Sequence, residues 1–146
     1  MRENKGDILI LDDDPLVLMN YMHILSDAGY NCSGAANISQ AWNALNARKF
    51  ELIICDNDLP DGKGTDLISK MNGAGIKIPV IYLSAALNSH LENVSSLESV
   101  KKVLTKPAPP ELLLESVSNF KLESEAAAQY PRLIGDDERK MLLEDF

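Results

Sequence analysis

The sequence predicts an α/β fold in which helices cover both faces of a doubly wound parallel sheet. Five short apolar runs alternate with longer segments of helical periodicity, as in strands joined by helical crossovers. The first, third and fourth runs are almost continuous Ile, Leu and Val, which is typical of strands buried on both faces. The five predicted strands are Ile8–Leu11, Tyr30–Ala35, Leu52–Cys55, Val80–Leu83 and Val100–Leu104.

The predicted helices begin at recognisable capping signals. Asp14 is the expected N-cap of the first helix, because Pro15 suits the first helical position. Gly29 is the expected C-terminal stop of that helix. Four more helices are predicted near Asn37–Ala47, after the turn Asp61-Gly62-Lys63-Gly64, around Leu87–Leu97 and after Pro109-Pro110.

Length and composition indicate one folded cytoplasmic domain. The 146 residues contain no apolar stretch near the roughly 20 residues that a membrane helix needs, and the start shows no signal peptide. Cys32 and Cys55 fall inside strand-like segments, which favours reduced thiols over a disulfide. A formal charge of −8 argues against direct binding to nucleic acid.

Residues 1–122 are predicted to form the domain, and residues 123–146 an acidic C-terminal extension. The extension carries seven acidic and three basic residues, so its formal charge is −4. It is predicted to be helical in part but too short for a DNA-binding or catalytic domain. We therefore expect it to serve docking or self-association.

Functional residues are expected where the strands end. The carboxyl ends of parallel strands meet at one edge of the sheet, and ligands bind in the crevice there. The polar residues that follow the predicted strands are Asp12, Asp13, Asp56, Asp58, Ser84 and Lys106.

This residue set favours chemistry on a phosphoryl group. Clustered carboxylates repel one another, and oxygen ligands without nearby His or Cys indicate a hard divalent ion such as Mg²⁺. Lys106 can neutralise a phosphoryl oxygen, and Ser84 can donate a hydrogen bond to another. The backbone N–H groups of Asn57 and Ala85 are candidates to complete the cradle. The pattern therefore predicts phosphorylation of a carboxylate.

Four strings in the sequence carry a specific resemblance. ILILDDDP, LIICDNDLPDGKG, VIYLSA and VLTKP occur in this order, each at a predicted strand end. Together they resemble the conserved blocks of bacterial response-regulator receiver domains over about residues 6 to 122. The resemblance implies a flavodoxin-like (βα)5 fold with strand order 2-1-3-4-5.

The resemblance also implies a role for each site residue. Asp56 is the implied phosphoacceptor. Asp12, Asp13, Asp56 and the backbone carbonyl of Asp58 are the implied Mg²⁺ ligands. Ser84 is expected to contact the phosphoryl group and Lys106 to pair with it, and the Lys106-Pro107 peptide is expected to be cis.

The implied function is that of a signalling switch rather than an enzyme. The expected phosphoryl donor is the phosphohistidine of a sensor histidine kinase or a histidine phosphotransfer protein. The expected output is altered binding to a protein that the sequence does not identify. A homodimer is a further possibility, through the tail or through the face formed by the fourth helix, fifth strand and fifth helix.

Two positions depart from the family pattern. Val103 stands three residues before Lys106, where the family usually has Tyr or Phe as a rotamer switch. Ala108 likewise replaces a frequent aromatic residue. We therefore expect the signal to be weaker or to follow a different route.

Other interpretations compete with this prediction. An aspartate-nucleophile phosphatase has a motif like Asp56-x-Asp58, but places it on the first strand, so we expect no turnover of small phosphate esters. A scaffold that needs no phosphorylation is disfavoured because no site residue is missing. Singly, the aspartates could be helix caps or turn residues and Lys106 a surface lysine. His23 and His90 are expected to be structural or on the surface.

Overall fold

The computed structural model describes residues 4–85 and 97–120. Its main sheet has five parallel strands in the order β2-β1-β3-β6-β7. This order confirms the predicted doubly wound sheet, because these five strands, counted in chain order, lie side by side across the sheet as 2-1-3-4-5. The strands are β1 Asp7–Leu11, β2 Asn31–Ala35, β3 Leu52–Asp56, β6 Val80–Ser84 and β7 Val100–Thr105.

A two-stranded hairpin between β3 and the next helix was not predicted. Its strands are β4 Asp58–Leu59 and β5 Gly62–Lys63, which pair antiparallel. Asp61, at the tip of this hairpin, accepts hydrogen bonds from the backbone N–H groups of Ile38 at 2.8 Å and Ser39 at 3.0 Å. These bonds fix the hairpin beside the start of the second helix and lower the pKa of Asp61.

The helices begin where the sequence predicts. Asp14 caps the first helix by accepting from Leu16 N–H at 2.9 Å. Asn37 caps the second by accepting from Gln40 N–H at 2.8 Å. In the described ranges the helices are α1 Pro15–Asp27, α2 Ile38–Ala47, α3 Gly64–Gly73 and α4 Pro110–Ser118.

The sheet separates two apolar layers. Alternate residues of the central strands pack on one face against α2 and α3, where Leu67, Ile68 and Met71 are buried. The other residues pack on the opposite face with α1 and α4, where Leu25 and Leu113 are buried. Because β1, β3 and β6 are covered on both sides, their inner residues are mostly aliphatic, and the charged or hydroxyl-bearing Asp7, Asp56 and Ser84 stand at strand ends.

Two predicted segments lie outside the described residues. The helix expected around Leu87–Leu97 falls almost entirely within residues 86–96, and the acidic extension 123–146 lies wholly beyond residue 120. His90 is also outside. Of the other predicted surface residues, His23 is exposed and faces Asp27 at 3.4 Å.

Within the ranges 4–85 and 97–120, every helix is too short or too polar to cross a lipid bilayer. Cys55 is buried and Cys32 is half-buried, and both are free thiols.

Gly64 provides a test of the packing between α3 and β3. A Cβ at Gly64 would lie 2.6 Å from the backbone oxygen of Asp56, whereas a Cβ at Gly73 would meet no atom within 4 Å. We expect Gly64→Ala to lower the free energy of unfolding by about 1–3 kcal/mol through overpacking. Gly73→Ala, on the same helix, should be neutral or stabilising by up to about 1 kcal/mol. Urea denaturation of both variants checks the pair, and equal effects would contradict the close packing at Gly64.

Candidate functional site

The structure brings the predicted polar residues to one edge of the sheet. Asp12 and Asp13 follow β1, whereas Asp56 and Ser84 are the last residues of β3 and β6. Lys106 follows β7 directly. The register β3–β6 and β6–β7 places these strand ends side by side, so the edge is set by the hydrogen bonding of the sheet.

Three carboxylates form a cluster at this edge. Asp12, Asp13 and Asp56 each offer one oxygen atom, and these atoms lie within 4.8 Å of one another. Asp12 is 1% and Asp56 5% exposed, whereas Asp13 is exposed to solvent. Oxygen donors at this spacing with one solvent-facing side could hold a divalent cation.

The side chain of Lys106 enters the cluster. Its Nζ lies 2.9 Å from Oδ2 of Asp12 and 3.2 Å from Oδ2 of Asp56. The other oxygen of Asp12 accepts the backbone N–H of Asp14 at 2.9 Å. One ammonium group thus bridges the two buried carboxylates. It does not balance the formal charge of all three aspartates, so a second cation could bind there.

Burial and charge shift the titration of both partners. Burial raises the pKa of Asp56, and the effect outweighs the opposing attraction of Lys106; the nearby Asp12 raises it further. Burial lowers the pKa of Lys106, but its hydrogen bonds and charge interactions with Asp12 and Asp56 outweigh this and leave the pKa raised. Lys106 therefore stays protonated at physiological pH. Loss of the Asp56 proton is less favourable than in an ordinary solvent-exposed aspartate.

The backbone beside Asp56 differs from one expectation. The N–H of Asn57 donates to the carbonyl of Leu83 at 2.8 Å, because the ladder between β3 and β6 continues through this residue. The prediction that Asn57 N–H faces the phosphoryl group is therefore wrong in this structure. The N–H of Asp58 donates to the carboxylate of Asp56 instead. Position 58, not 57, presents the backbone donor at the site.

An open cleft of about 300 Å³ leads to the cluster. Ala85, whose N–H was a predicted cradle donor, lies in its wall. Asp12 and Ser84, each 1% exposed, do not line it in the described part of the chain. Ser84 is tied to Lys106 through the backbone, since Lys106 N–H donates to the Ser84 carbonyl at 2.9 Å. The lining residues are Asp13, Asp56, Asp58, Leu59, Pro60, Ala85 and Lys106.

The Asp58 side chain is paired away from the cluster. Its carboxylate forms an ion pair with Lys63 across the β4–β5 hairpin. The side chain is therefore engaged elsewhere, which is compatible with the expectation that Asp58 serves a metal through its backbone. The Lys106-Pro107 peptide is cis, as expected.

Two buried tyrosines near the site were missed by sequence reasoning. Burial raises the pKa of Tyr21 on α1, and the backbone of Ala108 opposes this shift. Tyr82 on β6 donates from its hydroxyl to the side chain of Asn57. Their apolar surroundings in the sequence resemble ordinary core positions, so only the fold reveals their polar contacts. Val103 is half-buried and lies opposite Tyr82 in the sheet.

A sequence model described as the response regulator receiver domain matches residues 8–118. The match covers most of the chain and ends close to the last residue of α4. The chain therefore belongs to the response regulator receiver domain family. Receiver domains are signalling domains, and accepting a phosphoryl group on an aspartate is typical of the family. The predicted class of protein is thus confirmed.

Named relatives agree with this assignment. The chain is 36% identical to the swarming motility regulation protein RssB of Serratia marcescens over 110 residues, which are 73% of this chain and 49% of that protein. It is 25% identical to the alginate biosynthesis transcriptional regulatory protein AlgB of Pseudomonas putida over 77% of this chain and 25% of that protein. The chain therefore spans between a quarter and a half of these relatives.

Solved structures share the fold. A CheY-like receiver domain protein from Methanospirillum hungatei has a TM-score of 0.73 at 27% identity, over 78% of this chain and 91% of that chain. The chemotaxis response regulator CheY4 of Vibrio cholerae has a TM-score of 0.73 at 23% identity, over 80% of this chain and 98% of that chain. The second similarity concerns the fold alone.

The raised pKa of Asp56 predicts how stability depends on pH. The folded state binds the Asp56 proton more tightly than the unfolded state, so this group's contribution falls as pH rises from the ordinary carboxyl pKa through the folded value. Without divalent ions, Asp56→Asn should therefore be more stable than the wild type at neutral pH. The difference should shrink as the pH falls below the ordinary carboxyl pKa.

Urea denaturation in EDTA at several pH values measures this difference, and Asp61→Asn is the matched control. The pKa of Asp61 is lowered, chiefly by its hydrogen bond from Ile38 N–H, so its contribution has the opposite sign. An Asp56→Asn variant less stable than the wild type throughout would contradict the electrostatic description of the site.

Proposed function

We propose that Asp56 of this receiver domain accepts a phosphoryl group from a phosphohistidine, in a reaction that requires Mg²⁺. The observation that carries the proposal is the bridge of Lys106 between Asp12 and Asp56 inside a three-carboxylate cluster. At the edge of the sheet where the strands end, this arrangement supplies Asp56 as a nucleophile, a cluster of carboxylates for a cation, and the positive charge of Lys106.

The donor set fits a magnesium ion. Asp12, Asp13 and Asp56 would hold it, together with the backbone carbonyl of Asp58. All are hard oxygen ligands, and Mg²⁺ characteristically binds through a few carboxylates while retaining water. When bound, the ion supplies positive charge that offsets the phosphoryl oxygens and the clustered aspartates.

Asp56 is the nucleophile in this proposal. One Oδ attacks the phosphorus in line with the P–N bond of phosphohistidine. The new P–O bond forms as the P–N bond breaks, and the imidazole nitrogen keeps the electron pair. Asp56 reacts as the carboxylate, so the attack itself needs no general base. Catalysis therefore consists of positioning and charge stabilisation.

Lys106 and Ser84 then hold the product. Lys106 can exchange Asp56 for a phosphoryl oxygen while remaining paired with Asp12. The Ser84 hydroxyl and the N–H groups of Asp58 and Ala85 supply neutral donors. A phosphoryl group adds about −1.5 to −2 charges at neutral pH, so these contacts differ strongly between the two states. Because Ser84 is buried beside the cleft, reaching the group requires it to move, which links phosphorylation to β6.

The proposal also covers the phosphoryl donor, the output and the two parts of the chain. The donor would be a sensor histidine kinase or a histidine phosphotransfer protein in the cytoplasm, and the output an altered affinity for another protein. Residues 1–122 would form the switch and residues 123–146 a docking or self-association element. The chain would act as a substrate of its donor and not as an enzyme on small phosphate esters.

Phosphorylation is tested by incubating the full chain with acetyl phosphate and Mg²⁺ and measuring intact mass. The wild type should gain one phosphoryl group, and Asp56→Asn should gain none. Asp58→Asn is the matched control, since it changes a carboxylate two residues away but keeps the backbone; it should remain a phosphoacceptor. Omitting Mg²⁺ should reduce the modified fraction at least about tenfold.

The outcome against the proposal is equally clear. Mass gain in Asp56→Asn, or loss of modification in Asp58→Asn alone, would show that Asp56 is not the acceptor. Turnover of p-nitrophenyl phosphate by the wild type would favour a phosphatase.

A further inference from the structure

Tyr82 forms a buried polar contact next to the phosphoacceptor. The residue lies on β6, two positions before Ser84, and is fully buried. Its hydroxyl donates to Oδ1 of Asn57 at 2.5 Å and lies near the backbone N–H of Thr65, which acts to lower the Tyr82 pKa. Thr65 lies in the first turn of α3, where backbone N–H groups have no partner within the helix. One hydroxyl thus joins β6, the residue after Asp56 and the start of α3.

Asn57 is held from several directions. Its N–H donates to Leu83 of β6 at 2.8 Å, and its carbonyl accepts from Gly64 N–H at 2.9 Å. The hydrogen bond from the Tyr82 hydroxyl to the Asn57 side chain is the third contact that holds this residue. Since Asn57 lies between Asp56 and Asp58, these contacts determine how both neighbouring residues are presented to the cleft.

The contact depends on close packing around the tyrosine ring. A Cβ at Gly64 would lie 2.7 Å from Cε2 of Tyr82 and 2.6 Å from the backbone oxygen of Asp56. Gly64 therefore allows α3, the ring and the phosphoacceptor backbone to meet. Gly64 lies close to both groups, so a displacement of the ring can reach the Asp56 backbone through Gly64.

A purely apolar role does not account for the hydroxyl. Phenylalanine would fill the same volume without a polar atom, and burying a hydroxyl is unfavourable unless it is hydrogen-bonded. Here the hydroxyl donates a hydrogen bond to the side chain of Asn57. Burial also raises the pKa of Tyr82, so the hydroxyl stays a neutral donor at physiological pH.

We propose that Tyr82 is a positioning residue that acts through Asn57 to hold the segment 56–58 in the geometry that binds the metal ion and receives the phosphoryl group. The inference rests on the proposed function of Asp56. It assigns to a core tyrosine an effect on metal affinity, because the carbonyl and N–H of Asp58 are aligned only while Asn57 is fixed. Supporting residues of this kind orient metal ligands in other proteins.

The test is the affinity of the full 146-residue chain for Mg²⁺, measured by isothermal titration calorimetry. Tyr82→Phe should bind Mg²⁺ about tenfold more weakly than the wild type, as is typical when an orienting contact is lost. Its modification by acetyl phosphate should slow by a similar factor. Tyr30→Phe, which removes a hydroxyl just before β2, should leave both values unchanged.

A double-mutant cycle separates positioning from general destabilisation. If Tyr82 acts through Asn57, Tyr82→Phe should have no further effect on Mg²⁺ affinity in an Asn57→Ala background. Ile68→Val, which truncates a buried side chain on α3, controls for stability: it should lower the free energy of unfolding without changing Mg²⁺ affinity.

Each outcome is decisive. Unchanged Mg²⁺ affinity in Tyr82→Phe, with normal binding by the wild type, would overturn this inference and leave the proposed function intact. Additive effects of Tyr82→Phe and Asn57→Ala would overturn the route through Asn57. A wild type that binds no Mg²⁺ would overturn the proposed function together with the inference.

Discussion

The ion pairs of Lys106 are the interaction on which the rest of the site depends. A single ammonium lies 2.9 Å from Asp12 and 3.2 Å from Asp56, both of which are almost fully buried. At about 4 Å, two like charges near a protein surface repel by about 4 kcal/mol, so buried carboxylates this close require a compensating cation. Lys106 provides one positive charge against three negative ones. The remaining negative charge could be offset by a divalent ion at this edge of the sheet.

The sheet converts this electrostatic requirement into fixed geometry. Parallel pairing of β6 with β7 sets Ser84 beside Thr105, and the backbone bond from Lys106 to Ser84 extends the ladder into the site. On the other side, Asn57 extends the ladder between β3 and β6. Asp56, Ser84 and Lys106 thus share one hydrogen-bonded framework, and a change at Asp56 bears directly on β6. Val103 on β7 lies opposite Tyr82 on β6, and the Tyr82 hydroxyl contacts Asn57, the residue after Asp56.

The sequence was sufficient for the features that depend on local patterns. Apolar runs placed the strands, Asp14-Pro15 placed the start of α1, and the position of Asp12, Asp56 and Lys106 after strands placed the site. It was insufficient where tertiary contacts decide. The position of the β4–β5 hairpin depends on the hydrogen bond between Asp61 and the start of α2. The N–H of Asn57 donates to Leu83 on the neighbouring strand β6. The link from Tyr82 to Asn57 joins residues 25 positions apart, and no local pattern distinguishes it from apolar packing.

Substitution of the bridging lysine tests the central claim most directly. The measurement is the free energy of unfolding of Lys106→Met and wild type, each in EDTA and in a fixed Mg²⁺ concentration. Without its ammonium, the acidic cluster should destabilise the fold in EDTA and bind Mg²⁺ more tightly. The increase in stability produced by Mg²⁺ should then be larger in Lys106→Met, by about 1.4 kcal/mol for each tenfold gain in affinity. An equal or smaller increase in the variant would contradict the claim that Lys106 and the metal ion neutralise the same carboxylates.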